Sequence, residues 1–307
     1  MSTTLNPDYK SGFVAVVGRP SVGKSTLINT LLKQKIASVS PRPQTTRRKQ
    51  LAILSSDSAQ IIFIDTPGIH KPVHKLGQYL NQVALDTFED VDVILWLVDA
   101  SVVPHTEDTL VANYLKAINE LPPVVLVLNK ADVVGEDVIA PRIKLYQDLF
   151  STAEVIVISA RKKQGVPELL DKLLQFIPVG PQFYDPEQIT DLYERDLAVD
   201  LIREAVLYLL KDEVPHAVAV RLDDYLDEDE THSRISATLL VERDSQKGIL
   251  IGQGGSMIKQ IGTKARQEIE ALTDRKVFLE LRVKVQKNWR DDPSVLRNLG
   301  YLNKKDE

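Results

Sequence analysis

The stretch Phe13-Val-Ala-Val-Val17-Gly18-Arg19-Pro20-Ser21-Val22-Gly23-Lys24-Ser25-Thr26-Leu27-Ile28-Asn29-Thr30-Leu31-Leu32 decides the fold. Its first five residues are apolar without a break, as in a strand covered on both faces. Lys24–Leu32 has helical apolar spacing. Between them stands G-x4-G-K-S. In that pattern glycines let successive backbone N–H groups and a helix N-terminus close around phosphate oxygens. Lys24 is placed to reach the β- and γ-phosphates, and the Ser25 hydroxyl to ligate Mg2+. The candidate phosphate-binding residues are therefore Gly18, Arg19, Pro20, Ser21, Val22, Gly23, Lys24, Ser25 and Thr26.

Outward from this loop the pattern alternates. Strand-like runs stand at Gln50–Leu54, Ile61–Ile64, Val93–Val98, Val124–Leu128 and Val155–Ile158. Helical spacing separates most of them, at Leu76–Phe88, Thr106–Asn119, Ala140–Phe150 and Val166–Phe176. Strand–helix alternation predicts an α/β fold, a mostly parallel sheet with helices on both faces. Three strands end in polar motifs. Asp65-Thr66-Pro67-Gly68 can hold Mg2+ through water and offer the Gly68 N–H to a γ-phosphate. In Asn129-Lys130-Ala131-Asp132, a carboxylate at 132 can accept both N1–H and N2–H of guanine, a donor pair that adenine lacks. Lys130 can lay its stem along the base, and Asn129 can tie the loop together. After Ile158, Ser159 and Ala160 are placed to offer a backbone N–H to guanine O6. A site that ignored the base would be an ATPase, and Asp132 argues against it.

Pro178-Val-Gly-Pro181 breaks the alternation, and 179–190 reads as a linker. Beyond it come a helix at Asp191–Leu210, strands at Ala217–Leu222 and Arg234–Glu242, a helix at Gly255–Leu272 and a strand at Val277–Val285. Gly252-Gln253-Gly254-Gly255 falls between two short helical pieces. There a G-x-x-G turn lets nucleic-acid backbone approach peptide N–H groups, as in KH domains. From Arg243 to Arg290 there are eleven Lys/Arg, among them Lys259 and Lys264, against five Asp/Glu, in a chain whose net charge is −5. The stretch 212–230 is acidic. Segregated charge suits a directed anion site.

Composition narrows the remainder. The chain has 307 residues, 43% hydrophobic and 26% charged, and no cysteine. That excludes a disulfide framework, a thiolate metal site and a cysteine nucleophile. Residues 1–11 lack the apolar stretch of a signal peptide, and no apolar run approaches a membrane span.

The phosphate loop, D-x-x-G, N-K-x-D and S-A together resemble the GTPases of the translation-factor superfamily. That resemblance implies a switch threonine within Ser40–Gln50. Thr46 is favoured because it precedes Arg47, with Thr45 in reserve. With Ile202-Arg-Glu204, Leu250-Ile-Gly252, Ile261-Gly262, Val283-Lys-Val285, Trp289, Asp291-Asp292 and Leu299-Gly-Tyr301 added, residues 10–303 resemble the bacterial Era-type GTPases. The resemblance implies a P-loop G domain at 11–178 and a type II KH domain at 191–288, flanked by tails at 1–10 and 289–307. It implies GTP or GDP with Mg2+ held by Ser25, Thr46 and Asp65, and slow hydrolysis served by Lys24, Thr46 and Gly68. It also implies a monomer that binds the 3′ end of 16S rRNA through Gly252, Gln253, Gly254, Gly255, Lys259 and Lys264 and assists 30S subunit maturation. Residence would be cytoplasmic, with peripheral contact at the inner membrane. The alternative is a C-terminal domain that docks a protein or membrane partner.

Three positions bear on these expectations. Ile69 follows Gly68 where Ras-like enzymes carry a water-orienting Gln, so it cannot orient a water by hydrogen bonding. Ser21 replaces the family's usual Asn, so potassium activation does not carry over. Gly254 replaces a usual Lys, which removes one phosphate-neutralising charge. His70 and His74 read as solvated loop histidines.

Overall fold

A computed structural model describes residues 7–40, 42, 45–88, 90–152 and 154–302. Pro41, Pro43 and Gln44 of the threonine loop and tail residues 1–6 and 303–307 lie outside them. The described chain forms two compact units.

In the first unit, β1 (Lys10–Val17) leads through the phosphate loop to α1 (Lys24–Leu32). There follow β2 (Gln50–Ser55), β3 (Ala59–Asp65), α2 (Lys75–Leu85), β4 (Val93–Asp99), α3 (Thr106–Lys116), β5 (Val124–Asn129), α4 (Glu136–Leu149), β6 (Glu154–Val157) and α5 (Val166–Phe176). The sheet order is β2-β3-β1-β4-β5-β6, and only β2 runs antiparallel. β3 and β4 are buried at every position, which is why they read as unbroken apolar runs. Trp96 of β4 packs edge-on against Tyr146 and Phe150, with ring centroids 5.9 and 6.2 Å away. Parallel strands put their carboxyl ends along one edge, where the phosphate, D-x-x-G, base and S-A loops emerge together.

α4 starts at Glu136, four residues before the expected Ala140. Pro141 lies inside the helix. The stretch 179–190 does not stand apart as a linker. Ile53 N–H donates to Ile189 O (2.9 Å), and Gly180 N–H to Tyr9 O (2.9 Å). The Gln60 carboxamide accepts from Phe183 and Tyr184 N–H and donates to Tyr184 O. The segment supplies partners to the outer edge of β2, which would otherwise present an unpaired strand.

The second unit contains α6 (Glu194–Leu209), β7 (Ala219–Asp227), β8 (His232–Val241), α7 (Asp244–Ile251), α8 (Ser256–Thr273), β9 (Lys276–Val285) and α9 (Pro293–Asn298). Its sheet order is β7-β8-β9, with β8 and β9 parallel. Ala198, Ile202, Ala205, Val206, Ile235, Leu239, Leu250, Ile261, Ala265 and Ile269 form its core. The stretch expected as a C-terminal tail is built into it. Trp289 is fully buried and donates its indole N–H to Ala217 O at 2.8 Å, and Leu296 is buried behind it. Two earlier segments, the described residues of 37–45 and residues 72–79, also belong to this unit. Val39 N–H donates to the buried Glu204 carboxylate (3.0 Å). Leu76 N–H donates to Arg290 O, and His74 Nδ1 meets Asp291 at 2.8 Å.

Trp289→Ala should destabilise the second unit by about 3–5 kcal/mol, and Trp289→Phe by less. Urea unfolding followed by circular dichroism checks both; equal midpoints for Trp289→Ala and wild type would place the tail outside the cooperative fold.

Candidate nucleotide site and nucleic-acid groove

β1 ends in a loop whose backbone needs glycine at Gly18 and Gly23. Gly23, which caps α1, has φ +107, and a Cβ there would lie 2.3 Å from Asn129 Nδ2. That nitrogen donates to Val22 O at 2.9 Å, while Asn129 Oδ1 accepts from Ala160 N–H at 3.0 Å. One carboxamide thus joins the phosphate, base and S-A loops. Lys130 Nζ donates to Ser21 O at 2.9 Å. Gly68 packs directly on Pro20, and Ile69 N–H donates to Gly18 O at 3.2 Å. Thr66 Oγ1 donates to Val16 O.

Lys24 is buried at the loop's mouth and donates to Gly18 O (3.1 Å) and Arg19 O (3.2 Å). Burial pushes its ammonium pKa down to about 8, against the pull of Asp65. Three oxygens converge beside it. Ser25 Oγ lies 2.9 Å from Asp65 Oδ2 and 3.0 Å from Thr46 Oγ1, which is 3.2 Å from Asp65 Oδ2. Thr46, not Thr45, meets Ser25; Thr45 Oγ1 instead donates to Arg42 O. Mg2+ takes oxygen ligands at 2.0–2.1 Å in octahedral geometry, which sets adjacent oxygens about 2.9 Å apart. The two hydroxyls, 3.0 Å apart, fit adjacent positions on that ion, and Asp65, hydrogen-bonded to both, fits the water-mediated role expected of it. Among the described residues there is no group of three or more His, Cys, Asp or Glu that could hold a metal.

At the base loop, Lys130 adopts a left-handed backbone with φ +66. Asp132 is exposed, and its Oδ1 accepts from Ser159 Oγ at 2.6 Å. The backbone donors expected at guanine O6 make bonds within the loops. Ala160 N–H is taken by Asn129, and Ser159 N–H donates to Gln164 O at 3.0 Å. Both residues organise the loop through their own bonds.

The histidine reading is corrected as well. His70 is buried, with Nδ1 2.9 Å from Gly68 O and its backbone held on both sides by the Asn81 carboxamide. Ile69 is fully buried among Ala84, Phe88, Ile94 and Trp96. Its role is packing, consistent with its inability to orient a water.

In the second unit, α7 ends at Gly252, and the G-x-x-G turn passes into α8 with Gly254 at φ +58. Beside α8 a groove of about 440 Å³ runs along β9, lined by Ile258, Lys259, Gly262, Thr263, Arg266 and Phe278 among others. Lys264 is not in it: its ammonium lies 4.5 Å from the Tyr208 ring centroid and 3.6 Å from Glu268. Sequence reading missed Arg266 and Phe278. Phe278 is 59% exposed, with the Arg234 guanidinium 5.1 Å from its ring centroid. The alternation of β9 holds the signal: Val277, Leu279 and Leu281 face the core, which leaves Phe278 on the open side.

Comparison with known proteins adds relatives over both units. A model of the 50S ribosome-binding GTPase family matches residues 13–130, and a KH-domain model matches 213–290. The chain is 45% identical to GTPase Era of Staphylococcus epidermidis and 44% identical to that of Staphylococcus haemolyticus; each alignment covers 97% of this chain and 99% of the relative. A crystal structure of Era in complex with MgGDPNP and nucleotides 1506–1542 of 16S ribosomal RNA superposes with TM-score 0.91 at 37% identity. It covers 96% of this chain and 100% of that one. An Aquifex aeolicus Era variant bound to GDP.AlF4- superposes at 0.90 with the same identity and coverage.

Ile69→Ala should lower stability by about 2–5 kcal/mol as a core truncation while changing turnover of the folded protein by less than about 100-fold, or ~2.7 kcal/mol. Paired melting and single-turnover assays check it. A larger loss of turnover would give Ile69 a part in the chemistry.

Proposed function

The chain belongs to the Era family of GTPases, and from that premise we propose that it is a GTP-hydrolysing switch that binds the 3′ end of 16S rRNA and assists assembly of the small ribosomal subunit. The observation that carries the reading is the convergence of Ser25, Thr46 and Asp65 oxygens within 3.2 Å at the mouth of the phosphate loop. That geometry suits a triphosphate with its cation. Mg2+, when bound, supplies charge neutralisation at the phosphates.

The chain's own residues do the rest. Main-chain donors of the loop and Lys24 bind the phosphates, and Lys24 exchanges its carbonyl contacts for phosphate oxygens. Thr46 closes from the switch loop. Asp132 sorts the base by accepting two N–H groups, with Asn129 and Lys130 holding its loop. No side chain at 69 orients a water, so intrinsic turnover is slow. In the second unit the G-x-x-G turn approaches RNA backbone, Lys259 and Arg266 neutralise phosphates, and Phe278 offers a stacking face. Lys264 is replaced by Arg266 in this proposal, because its charge is engaged elsewhere.

Chain continuity supports a nucleotide-dependent switch. Residues 37–45 lead into Thr46 and residues 72–79 follow Gly68, and both segments are bonded within the second unit. The family description for residues 13–130 names the 50S subunit. The RNA-bound relative aligns over 96% of the chain, both units included, and carries a 16S fragment. The small subunit is therefore the proposed partner. No helix among the described residues is long and apolar enough to cross a membrane. Cytoplasmic residence with peripheral membrane contact belongs to the same proposal, and vesicle co-sedimentation tests the contact.

Titration of a 16S 3′-end oligonucleotide with GDP or a non-hydrolysable GTP analogue bound should give tighter, salt-sensitive binding in the GTP-like state. Gly254→Asp should abolish it, since the position has open space for a side chain and Asp tolerates the left-handed backbone. Gly254→Lys should strengthen it. No binding in either state would favour a protein or membrane partner. For the base, Asp132→Asn should weaken GTP binding by 100-fold or more, as order of magnitude, because an amide nitrogen then faces guanine donors. Equal affinities would remove guanine selection from Asp132.

A further inference from the structure

Two carboxylates outside the nucleotide motifs stand against the phosphate and base loops. Asp99 ends β4 and Asp108 lies in the first turn of α3; both are buried. Asp99 Oδ2 accepts from Lys130 Nζ at 2.6 Å and lies 3.7 Å from Arg19 Nη2. Asp108 Oδ2 accepts from Arg19 Nε at 3.1 Å and from His105 N–H at 2.8 Å, with Tyr146 Oη at 3.5 Å. Arg19 also donates to Pro20 O, and Lys130 to Ser21 O. Two acids and two bases thus form a balanced cluster linking the strand end, α3, the phosphate loop and the base loop.

Each acid also has a local duty. Asp99 Oδ1 accepts from Ser101 N–H and Oγ, and Asp108 caps α3 by accepting from His105 N–H. Those duties need only an oxygen, which an amide retains. They do not require a charge; at Asp99 they also leave the second oxygen, Oδ2, to Lys130, whereas at Asp108 the one oxygen Oδ2 serves both the cap and Arg19. Burial pushes the Asp99 carboxyl up, but its bonds to Lys130 and Ser101 outweigh that and leave it below the usual range. Asp99 is therefore the firmly ionised member. Burial raises the Asp108 carboxyl, against His105 and Arg19.

We propose that Asp99 and Asp108 are positioning residues that act through Lys130 and Arg19 to set the spacing between the phosphate loop and the guanine loop. The proposal rests on the reading of these loops as a guanine-nucleotide site. Lys130 holds a left-handed backbone, and the Asp99 anchor fixes the far end of its side chain, so its stem is laid out before a base arrives. Asp99 touches the base side of the site, which GDP and GTP share. Its loss should therefore act on both nucleotides alike, as uniform binding does, raising KM with little change in kcat.

The test uses the full chain with fluorescent GDP and GTP analogues. Asp99→Asn keeps the Ser101 bonds and removes the charged partner of Lys130. Dissociation of GDP and GTP should both quicken about tenfold, the usual worth of a charge-assisted hydrogen bond, with kcat within about twofold. Asp108→Asn keeps the cap on α3 and should give a smaller shift of the same kind. Lys130→Met should weaken binding, and Asp99→Asn added to it should change little further, because both remove one interaction. Additive losses would overturn the proposal, as would wild-type dissociation rates in Asp99→Asn. A lowered melting temperature with unchanged nucleotide affinity would also overturn it, by making the cluster purely structural. Wild-type protein that binds no guanine nucleotide would instead sink the nucleotide reading on which the inference rests.

Discussion

A single buried carboxamide holds the nucleotide site in one piece. Asn129 is 3% exposed; its nitrogen donates to the phosphate loop at Val22 O, and its oxygen accepts from Ala160 N–H. Gly23 makes room for it, since any Cβ there would overlap the amide. A buried polar group with both ends satisfied is cheap to keep. With one end unsatisfied it costs about 1–3 kcal/mol. The three loops are therefore stable together, and displacing any one leaves an unpaired polar atom. This constraint explains why a short polar motif follows β5 at a fixed position and why the phosphate loop needs its second glycine.

The parallel sheet makes such bridging geometrically possible. β1, β3, β4, β5 and β6 all point their carboxyl ends to one edge. Segments far apart in sequence then lie side by side there, and their backbones bond directly. Ile69 N–H reaches Gly18 O, Ala131 N–H reaches Ile158 O, and Thr30 Oγ1 reaches Ala160 O. These bonds lie within the chain itself and hold the donors and the carboxylates in fixed relation. Preorganised dipoles stabilise charge without reorganising when it develops. The same logic places Asp99 at the end of β4, one strand over from Asn129.

Much of this was legible in the chain itself, for particular reasons. The phosphate loop and N-K-x-D are local patterns whose chemistry demands contiguous residues, so spacing alone exposes them. Lys24–Leu32 and Val166–Phe176 match their helices to the residue, because each has clear apolar spacing and a glycine before it. What escaped depends on long-range contact. Asp99 and Asp108 carry no motif, and their partners lie 31 and 89 residues away. His70 looked solvated because the Asn81 carboxamide that buries its backbone sits in the next helix. The polar stretch after Pro178 looked like a linker because polarity reports exposed side chains, whereas here the backbone supplies the bonds. Residues 289–302 looked like a tail because a lone Trp shows no periodicity, yet Trp289 fills a core position.

Charge counting also needs the third dimension. The +6 balance of residues 243–290 suggests a broad basic surface, but Lys264, Arg275, Arg282 and Arg290 are engaged in ion pairs. On the open face of the sheet Arg221, Arg234 and Arg282 each face an acid at 2.7–2.8 Å. Their fields are largely cancelled beyond a Debye length of about 8 Å. Among the described residues, Lys259 and Arg266 have no ion pair, and both line the groove beside α8. The surplus is thus distributed unevenly: four of the eleven cations are held in ion pairs, and of the others Lys259 and Arg266 line this groove. On the proposed function, a few uncompensated charges would steer an anionic strand to that groove, although the chain as a whole is acidic. Phe278 is exposed at the same place, so the apolar and cationic groups that the proposed single-strand recognition needs coincide on one edge of β9.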